Sequence, residues 1–338
     1  MKPTMRVIVN PRHAAHATPH EVDNGVAVPP WEVPGRFDAI RAALARRGGF
    51  TFEDAPAVSE DAVCGLHDRA YVAYLREASA GLRPGEAAYP SVFPYGPTPH
   101  VRGAKALRGA YCFDTFTPIT HGTLAAALGG ASAAIRGAEL VAAGERAVYV
   151  LTRPPGHHAE RDRCGGYSYL NNAALAADRL AKLGKVAVLD LDVHHGNGTQ
   201  HLFYDRPDVL PVSLHGDPAG LFPYFSGFAD ETGTGRGLGF TRNLPLPPGT
   251  DDRGYRPALA TALEQIGGFR PAFLVVSFGA DTHEDDPIGG FGLTTDYFAE
   301  MGAAVRQLGL PAVVVQEGGY NLDVIGGCVA GFLKPLAA

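Results

Sequence analysis

The sequence is short of cysteine, of excess charge and of long apolar runs. Its four cysteines, Cys64, Cys112, Cys164 and Cys328, are widely spaced and form no CxxC pair. That argues against a thiolate zinc site and a disulfide framework, and it points to a reducing, cytoplasmic setting. No stretch reaches 18 uninterrupted apolar residues, and the run Val7-Ile8-Val9 near the N-terminus is brief. Neither an export signal nor a membrane span is expected. A net charge of −6 and a pI near 6.1 argue against nucleic acid as the main partner and lean toward cationic ligands. No linker or low-complexity stretch divides the 338 residues, and 46% apolar residues suffice for a sizeable core. One domain spanning 1–338 is expected.

What is present is alternation. Strand-like runs occur at Arg6 to Val9, Ala147 to Leu151, Val186 to Leu189, Val209 to Leu214, Phe273 to Ser277 and Ala312 to Val315. Helix-like segments fall near Arg36 to Arg46, Asp68 to Glu77, Thr123 to Ala143, Asn172 to Leu183, Asp252 to Ile266, Thr295 to Leu308 and Ile325 to Leu333. The pattern predicts an α/β fold with a mostly parallel central sheet flanked by helices. In such folds ligands sit at the carboxyl ends of the strands, and the loops after those ends carry the polar residues here. A Pro/Gly-rich segment from Gly81 to Gly122 shows little periodicity and holds Tyr89, Phe93, Tyr95, Tyr111, Phe113 and Phe116. It reads as a long loop insertion, serving as a dimer contact or a lid.

The run Val188-Leu189-Asp190-Leu191-Asp192-Val193-His194-His195-Gly196-Asn197-Gly198 ends a core strand with two carboxylates and an imidazole. Buried aspartates need a cation or hydrogen bonds to compensate them, so the run predicts a metal site rather than a surface turn. Asp192 and His194, joined by Asp281 at another strand exit, would leave a coordination position open, as catalytic zinc requires. Two carboxylates make the set hard enough for Fe²⁺, Co²⁺ or Mn²⁺ to compete.

His157-His158, after Pro154-Pro155-Gly156, could present imidazoles to water beside such a site, with Asp190 and Asn197 as orienting partners. The Tyr320 hydroxyl, after Gly318-Gly319, could stabilise a developing oxyanion. Gly165-Gly166-Tyr167 and Leu221-Phe222-Pro223 could wall a narrow channel.

Six ordered motifs are specific enough to carry a resemblance: Arg153 to Ala159 (RPPGHHA), Gly165 to Asn172 (GGYSYLNN), Leu189 to Gln200 (LDLDVHHGNGTQ), Ser213 to Pro218 (SLHGDP), Ser277 to Pro287 (SFGADTHEDDP) and Glu317 to Asn321 (EGGYN). Over nearly its whole length the chain resembles the metal-dependent histone deacetylase superfamily, and within it the bacterial acetylpolyamine amidohydrolases. The resemblance implies the arginase/deacetylase α/β fold, zinc-dependent hydrolysis of an acetamide on a small acetylated amine, and a homodimer. It makes Asp192, His194 and Asp281 the zinc ligands, His158 the general base and acid, His157 its electrostatic partner backed by Asp190, and Tyr320 the carbonyl-polarising residue. It places Tyr167 and Phe222 in the substrate channel with Gly166 and Ile288. It also implies a structural K⁺ held by Asp190, Ser213 and the carbonyls of Asp192, His194 and Leu214.

Two positions depart from the relatives. Ser168 stands where many carry cysteine, with no chemical step assigned to it. Ile288 stands where the polyamine-specific vertebrate relative carries an acidic residue, so recognition of an amine cation falls to Asp114, Glu21 or Asp23. The competing readings are an acetyl-lysine protein deacetylase, a two-manganese ureohydrolase and a catalytically inactive binding protein. The second-metal carboxylates are missing for the ureohydrolase, and no catalytic residue is missing as an inactive protein would require.

Overall fold

The computed structural model describes residues 4–94 and 101–338. Its framework is an eight-stranded sheet built from β1 (Met5–Val9), β2 (Phe50–Asp54), β3 (Ala147–Leu151), β4 (Val186–Asp190), β5 (Val209–Gly216), β6 (Arg242–Leu246), β7 (Phe273–Phe278) and β8 (Ala312–Gln316). The spatial order is β6-β5-β4-β7-β8-β3-β1-β2, and each neighbouring pair is parallel. The central strands are nearly pure Val, Leu and Ala because both of their faces are covered. Alternate residues feed two cores: Tyr149 and Leu151 of β3 join one, and Val148 and Val150 join the other.

Nine helices cover the faces among the described residues: α1 (Gly35–Arg47), α2 (Arg69–Ala80), α3 (Ala104–Ala110), α4 (Thr123–Ala142), α5 (Asn172–Ala181), α6 (Asn197–Phe203), α7 (Asp252–Phe269), α8 (Tyr297–Arg306) and α9 (Ile325–Leu336). Helices α1, α7, α8 and α9 pack on one side of the sheet, and α2, α4, α5 and α6 on the other. Asn171 and Asp251 cap α5 and α7, accepting bonds from the Ala174 and Gly254 amides at 2.9 Å each. Helix α4 is long and apolar enough to cross a membrane by composition, but most of it is buried inside the fold.

All six expected strands and seven expected helices are present, with ends shifted by a few residues. Strands β2 and β6 were not expected. Both lie at sheet edges, where one side of the strand is solvated and the apolar signal is diluted, and β6 carries Pro245, a residue that edge strands tolerate. The segment from Gly81 to Gly122 is not the unstructured insertion its composition suggested. It contains α3 and a two-residue strand, Ala87–Ala88, paired antiparallel with Ile119–Thr120. Elements that short leave no periodicity to read. Tyr95 lies outside the described residues.

A hairpin between β1 and α1 also escaped the reading, although Asp23-Asn24-Gly25 is a strong turn signal. Glu21–Asp23 pairs antiparallel with Val26–Val28, and the two turn residues have φ values of 48° and 80°. A Cβ on Gly25 would meet nothing within 4 Å, so substitution tests backbone strain alone. Gly25→Ala is expected to cost about 1 kcal/mol, read as a lowered urea midpoint with an unchanged m-value.

Candidate active site

Four adjacent strands, β4, β7, β8 and β3, deliver the polar residues at their carboxyl ends. After Asp190 the chain leaves β4 in a series of bends carrying Asp192 and His194, while Gly279-Ala280-Asp281 follows β7. The ligand atoms of Asp192, His194 and Asp281 lie within 4.8 Å of one another, and all three residues are buried. His194 Nδ1 is 3.2 Å from Asp192 Oδ1 and 3.4 Å from Asp281 Oδ2.

Backbone amides orient both carboxylates. His194 N and Gly318 N donate to the two oxygens of Asp192 at 3.0 and 2.8 Å, and Val193 N donates to Asp281 Oδ1 at 3.0 Å. Asp281 Oδ2 is buried without a hydrogen-bond partner, an expensive state for a carboxylate oxygen unless a cation meets it. A Cβ on Gly318 would collide with that oxygen, and one on Gly279 with Asp192 Oδ2. Glycine is therefore required for the two loops to close around the carboxylates.

Electrostatics point the same way. Burial and the neighbouring Asp192 push Asp281 up to about 7. Burial alone would lower His194, but the adjacent Asp192 and Asp281 carboxylates carry it up to about 10. A proton thus serves as the counter-charge that a divalent ion would replace. The donor set, two carboxylate oxygens and one imidazole nitrogen, fits such an ion.

The histidine pair is asymmetric. His157 Nδ1 lies 3.0 Å from Asp190 Oδ2, and its Nε2 lies 3.7 Å from Asp192 Oδ1. Burial would lower its pKa, but these two carboxylates raise it to about 10. His158 Nδ1 instead meets the neutral amide oxygen of Asn197 at 2.7 Å. Burial, then repulsion by His157 and His194, pushes its pKa well down. The two rings, 4.0 Å apart between centroids, are thus shifted in opposite directions by their surroundings.

Tyr320 is buried, and burial raises its hydroxyl well above the usual range, so it remains a donor. The Arg36 guanidinium lies 4.7 Å from its ring centroid and donates to the carbonyls of Gly319 and Glu317 at 2.5 Å each. Arg36 and Arg153 both pair with the buried Glu32. Glu317 Oε2 accepts the Gly156 and His157 amides at 2.6 and 3.1 Å, tying the loop after β8 to the loop after β3.

A cavity of about 600 Å³ reaches these groups, and Gly166, Tyr167, His158, His194, Phe222, Ile288 and Tyr320 all line it. Gly166 and Tyr167 have φ values of 53° and 62°, a tight turn that brings Gly166 against the His158 ring. Asp114 holds that turn by accepting the Gly166 amide at 2.6 Å. Its carboxylate also accepts from Phe116 N, Thr117 N and Thr117 Oγ1, and Asp114 does not line the cavity. It is thus removed from the three candidate amine readers, whereas Glu21 and Asp23 remain, carried into the wall by the hairpin. Val28, Pro29 and Trp31 line that wall beside Phe116, Leu221 and Tyr224. The first three were not foreseen, and the turn signal at Asn24-Gly25 could have indicated them. Asp190 and Ser213 are both buried and opposite one another across the β4–β5 ladder.

The family model for the histone deacetylase domain matches residues 30–336. The chain belongs to the histone deacetylase family. It is 44% identical to an acetylpolyamine amidohydrolase of Mycoplana ramosa, covering 98% of this chain and 100% of that protein. It is 39% identical to acetylpolyamine amidohydrolase 2 of Pseudomonas aeruginosa, covering 95% and 96%. The crystal structure of an acetylpolyamine aminohydrolase from Burkholderia pseudomallei superposes with a TM-score of 0.94 at 36% identity, covering 99% of both chains. The HDA15 HD domain superposes with a TM-score of 0.84 at 28% identity, covering 99% of this chain and 90% of that one. As a histone deacetylase family member the protein is a metal-dependent deacetylase, with the arginase/deacetylase fold, and the Asp192-His194-Asp281 cluster is its candidate metal centre.

Gly318→Ala is expected to abolish stoichiometric binding of a divalent metal ion while leaving the far-UV circular dichroism native, as measured by metal analysis of the purified variant. Glu32, held down to about 2 despite its burial by the Arg153 and Arg36 guanidinium groups, generates a pH prediction. A depressed carboxyl pKa stabilises the fold above the ordinary value of 4.5, and that contribution is lost as pH falls toward 2. Glu32→Gln should therefore flatten the decline of Tm between pH 4.5 and pH 2.

Proposed function

We propose that the protein is a zinc-dependent amidohydrolase that removes acetyl groups from N-acetylated polyamines or related small acetylated amines. The observation that carries this reading is a cavity joining a carboxylate, Glu21, to the His158, His194 and Tyr320 end. Burial pushes Glu21 up to about 7, and Tyr167 and Trp31 supply only neutral donors to it. An amine cation in the cavity would provide the missing counter-charge. The names of the amidohydrolase relatives support the same substrate class.

Asp192, His194 and Asp281 would hold the zinc ion, with Fe²⁺ or Co²⁺ as substitutes, and the ion would polarise the acetamide carbonyl and acidify water. His158 takes the proton of the attacking water at Nε2, the nitrogen left free by the Nδ1 contact to Asn197. It returns that proton to the departing amine nitrogen. His157, kept cationic by Asp190 and Asp192, stabilises the negative charge that develops, and the Tyr320 hydroxyl donates to the acetamide oxygen. Gly166, Tyr167, Phe222 and Ile288 confine the acyl and methylene chain. Asp190, Ser213 and the carbonyls of Asp192, His194 and Leu214 form an all-oxygen set suited to a structural K⁺. The chain works as one catalytic unit, and its partner is a second copy, to which the segment 81–122 offers the exposed Val92 and Phe93.

Turnover of N-acetylputrescine measured beside an acetyl-lysine peptide should give the higher kcat/KM for the polyamine. The opposite ranking would replace this reading with a protein deacetylase. His158→Ala should lower kcat by about 10²- to 10⁴-fold with zinc retained, whereas Asp192→Ala should lose both zinc and turnover. Glu21→Gln should raise KM for the acetylated diamine about tenfold, the loss of one charged hydrogen bond, and leave a neutral acetamide substrate unaffected.

A further inference from the structure

A second cavity, of about 560 Å³, opens beside α6 and is lined in part by Glu160, Asn197, Gln200, His201 and Ser226. None of the metal-binding triad borders it, yet its wall residue Asn197 is bonded directly to His158. The orientation of the Asn197 amide therefore decides which nitrogen of His158 carries the proton. An amide can present either its oxygen, which accepts, or its NH₂, which donates. Turned one way it requires a proton on His158 Nδ1 and leaves Nε2 as the base. Turned the other way it removes the lone pair from Nε2.

Two contacts choose between these states. Asn197 Nδ2 lies 3.0 Å from Glu160 Oε1 and 3.4 Å from the His158 carbonyl oxygen. Both partners are acceptors, so the NH₂ group must face them and the amide oxygen must face His158. Glu160 is placed in turn by His201, whose Nδ1 is 3.2 Å from Oε2 and whose pKa is raised mainly by that bond. The Glu160 backbone is pinned by His67 Nδ1 at its carbonyl oxygen, 2.9 Å away.

We propose that Glu160, backed by His201, is a positioning residue that locks the Asn197 amide and so the Nδ1-protonated tautomer of His158. This rests on the assignment of His158 as the general base made above. The cavity keeps His201 in reach of solvent, which leaves the outer end of the chain adjustable while its inner end is dry.

The test compares Glu160→Ala with Glu160→Gln, whose side-chain oxygen can still accept from Asn197. Glu160→Ala should lower kcat by about tenfold or more with KM and zinc content unchanged, and Glu160→Gln should restore most of the loss. In ¹⁵N-histidine NMR spectra of metal-free and zinc-loaded protein, the His158 ring, identified by its absence in His158→Ala, should shift from the Nδ1-protonated pattern toward a mixture in Glu160→Ala. A folded, zinc-binding Glu160→Ala protein with unchanged kcat and unchanged His158 signals would overturn the proposal. Should Glu160→Ala not fold, Glu160→Gln is made in an Asn197→Asp background, where two carboxylates would face each other. There it should raise kcat, and a further loss would overturn the proposal. Full turnover by His158→Ala would instead remove the base assignment itself, and this inference with it.

Discussion

Two aspartates and a histidine, buried together at the carboxyl ends of central strands in a hydrophobic sheet, require a positive charge that the protein does not itself provide in permanent form. This requirement organises the structure around them. Two carboxylates share a space from which water is excluded, and the chain spends backbone amides from Val193, His194 and Gly318 on orienting them. One oxygen of Asp281 is left facing inward without a partner. Glycines 279 and 318 are what allow the loops to approach that closely.

The same unbalanced charge differentiates the histidine pair. Adjacent in sequence and carried on one loop, His157 and His158 would titrate alike in water. Asp190 and Asp192 stand beside the first, and the neutral Asn197 beside the second, so the environment separates their pKa values in opposite directions. A fixed cation and a neutral base within one dipeptide is an arrangement suited to moving a proton while stabilising an anion.

The mouth of the cavity and its floor are mechanically joined. Glu32, a few residues after the hairpin that carries Glu21, binds Arg153 at the start of the histidine loop and Arg36 behind Tyr320. Asp114 braces the Gly166–Tyr167 turn from the other side. Phe116 and His158 both pack edge-on against Phe222, with centroids 5.3 and 5.0 Å away. Residues at the mouth of the cavity therefore rest on the groups that surround its floor.

The six central strands, the helices between them and the polar residues at the strand exits were legible in the sequence. Apolar runs and helical periodicity are local properties, and a buried aspartate after such a run announces its need for compensation wherever the chain goes. The family resemblance added expected roles to those residues. Edge strands β2 and β6 were not legible, since partial solvation erases the pattern that marks a core strand. Nor was the spent carboxylate of Asp114, whose donors include one from the distant Gly166 turn. What the sequence by itself determined is the inventory of candidate metal-binding side chains, the histidine pair and the phenol, and their order along a doubly covered sheet. What only the tertiary structure decided is how near each charge lies to the next. Distances between residues as remote in sequence as Glu21 and Tyr167, or Glu160 and Asn197, are set by packing rather than by spacing, and those distances decide which groups hold protons.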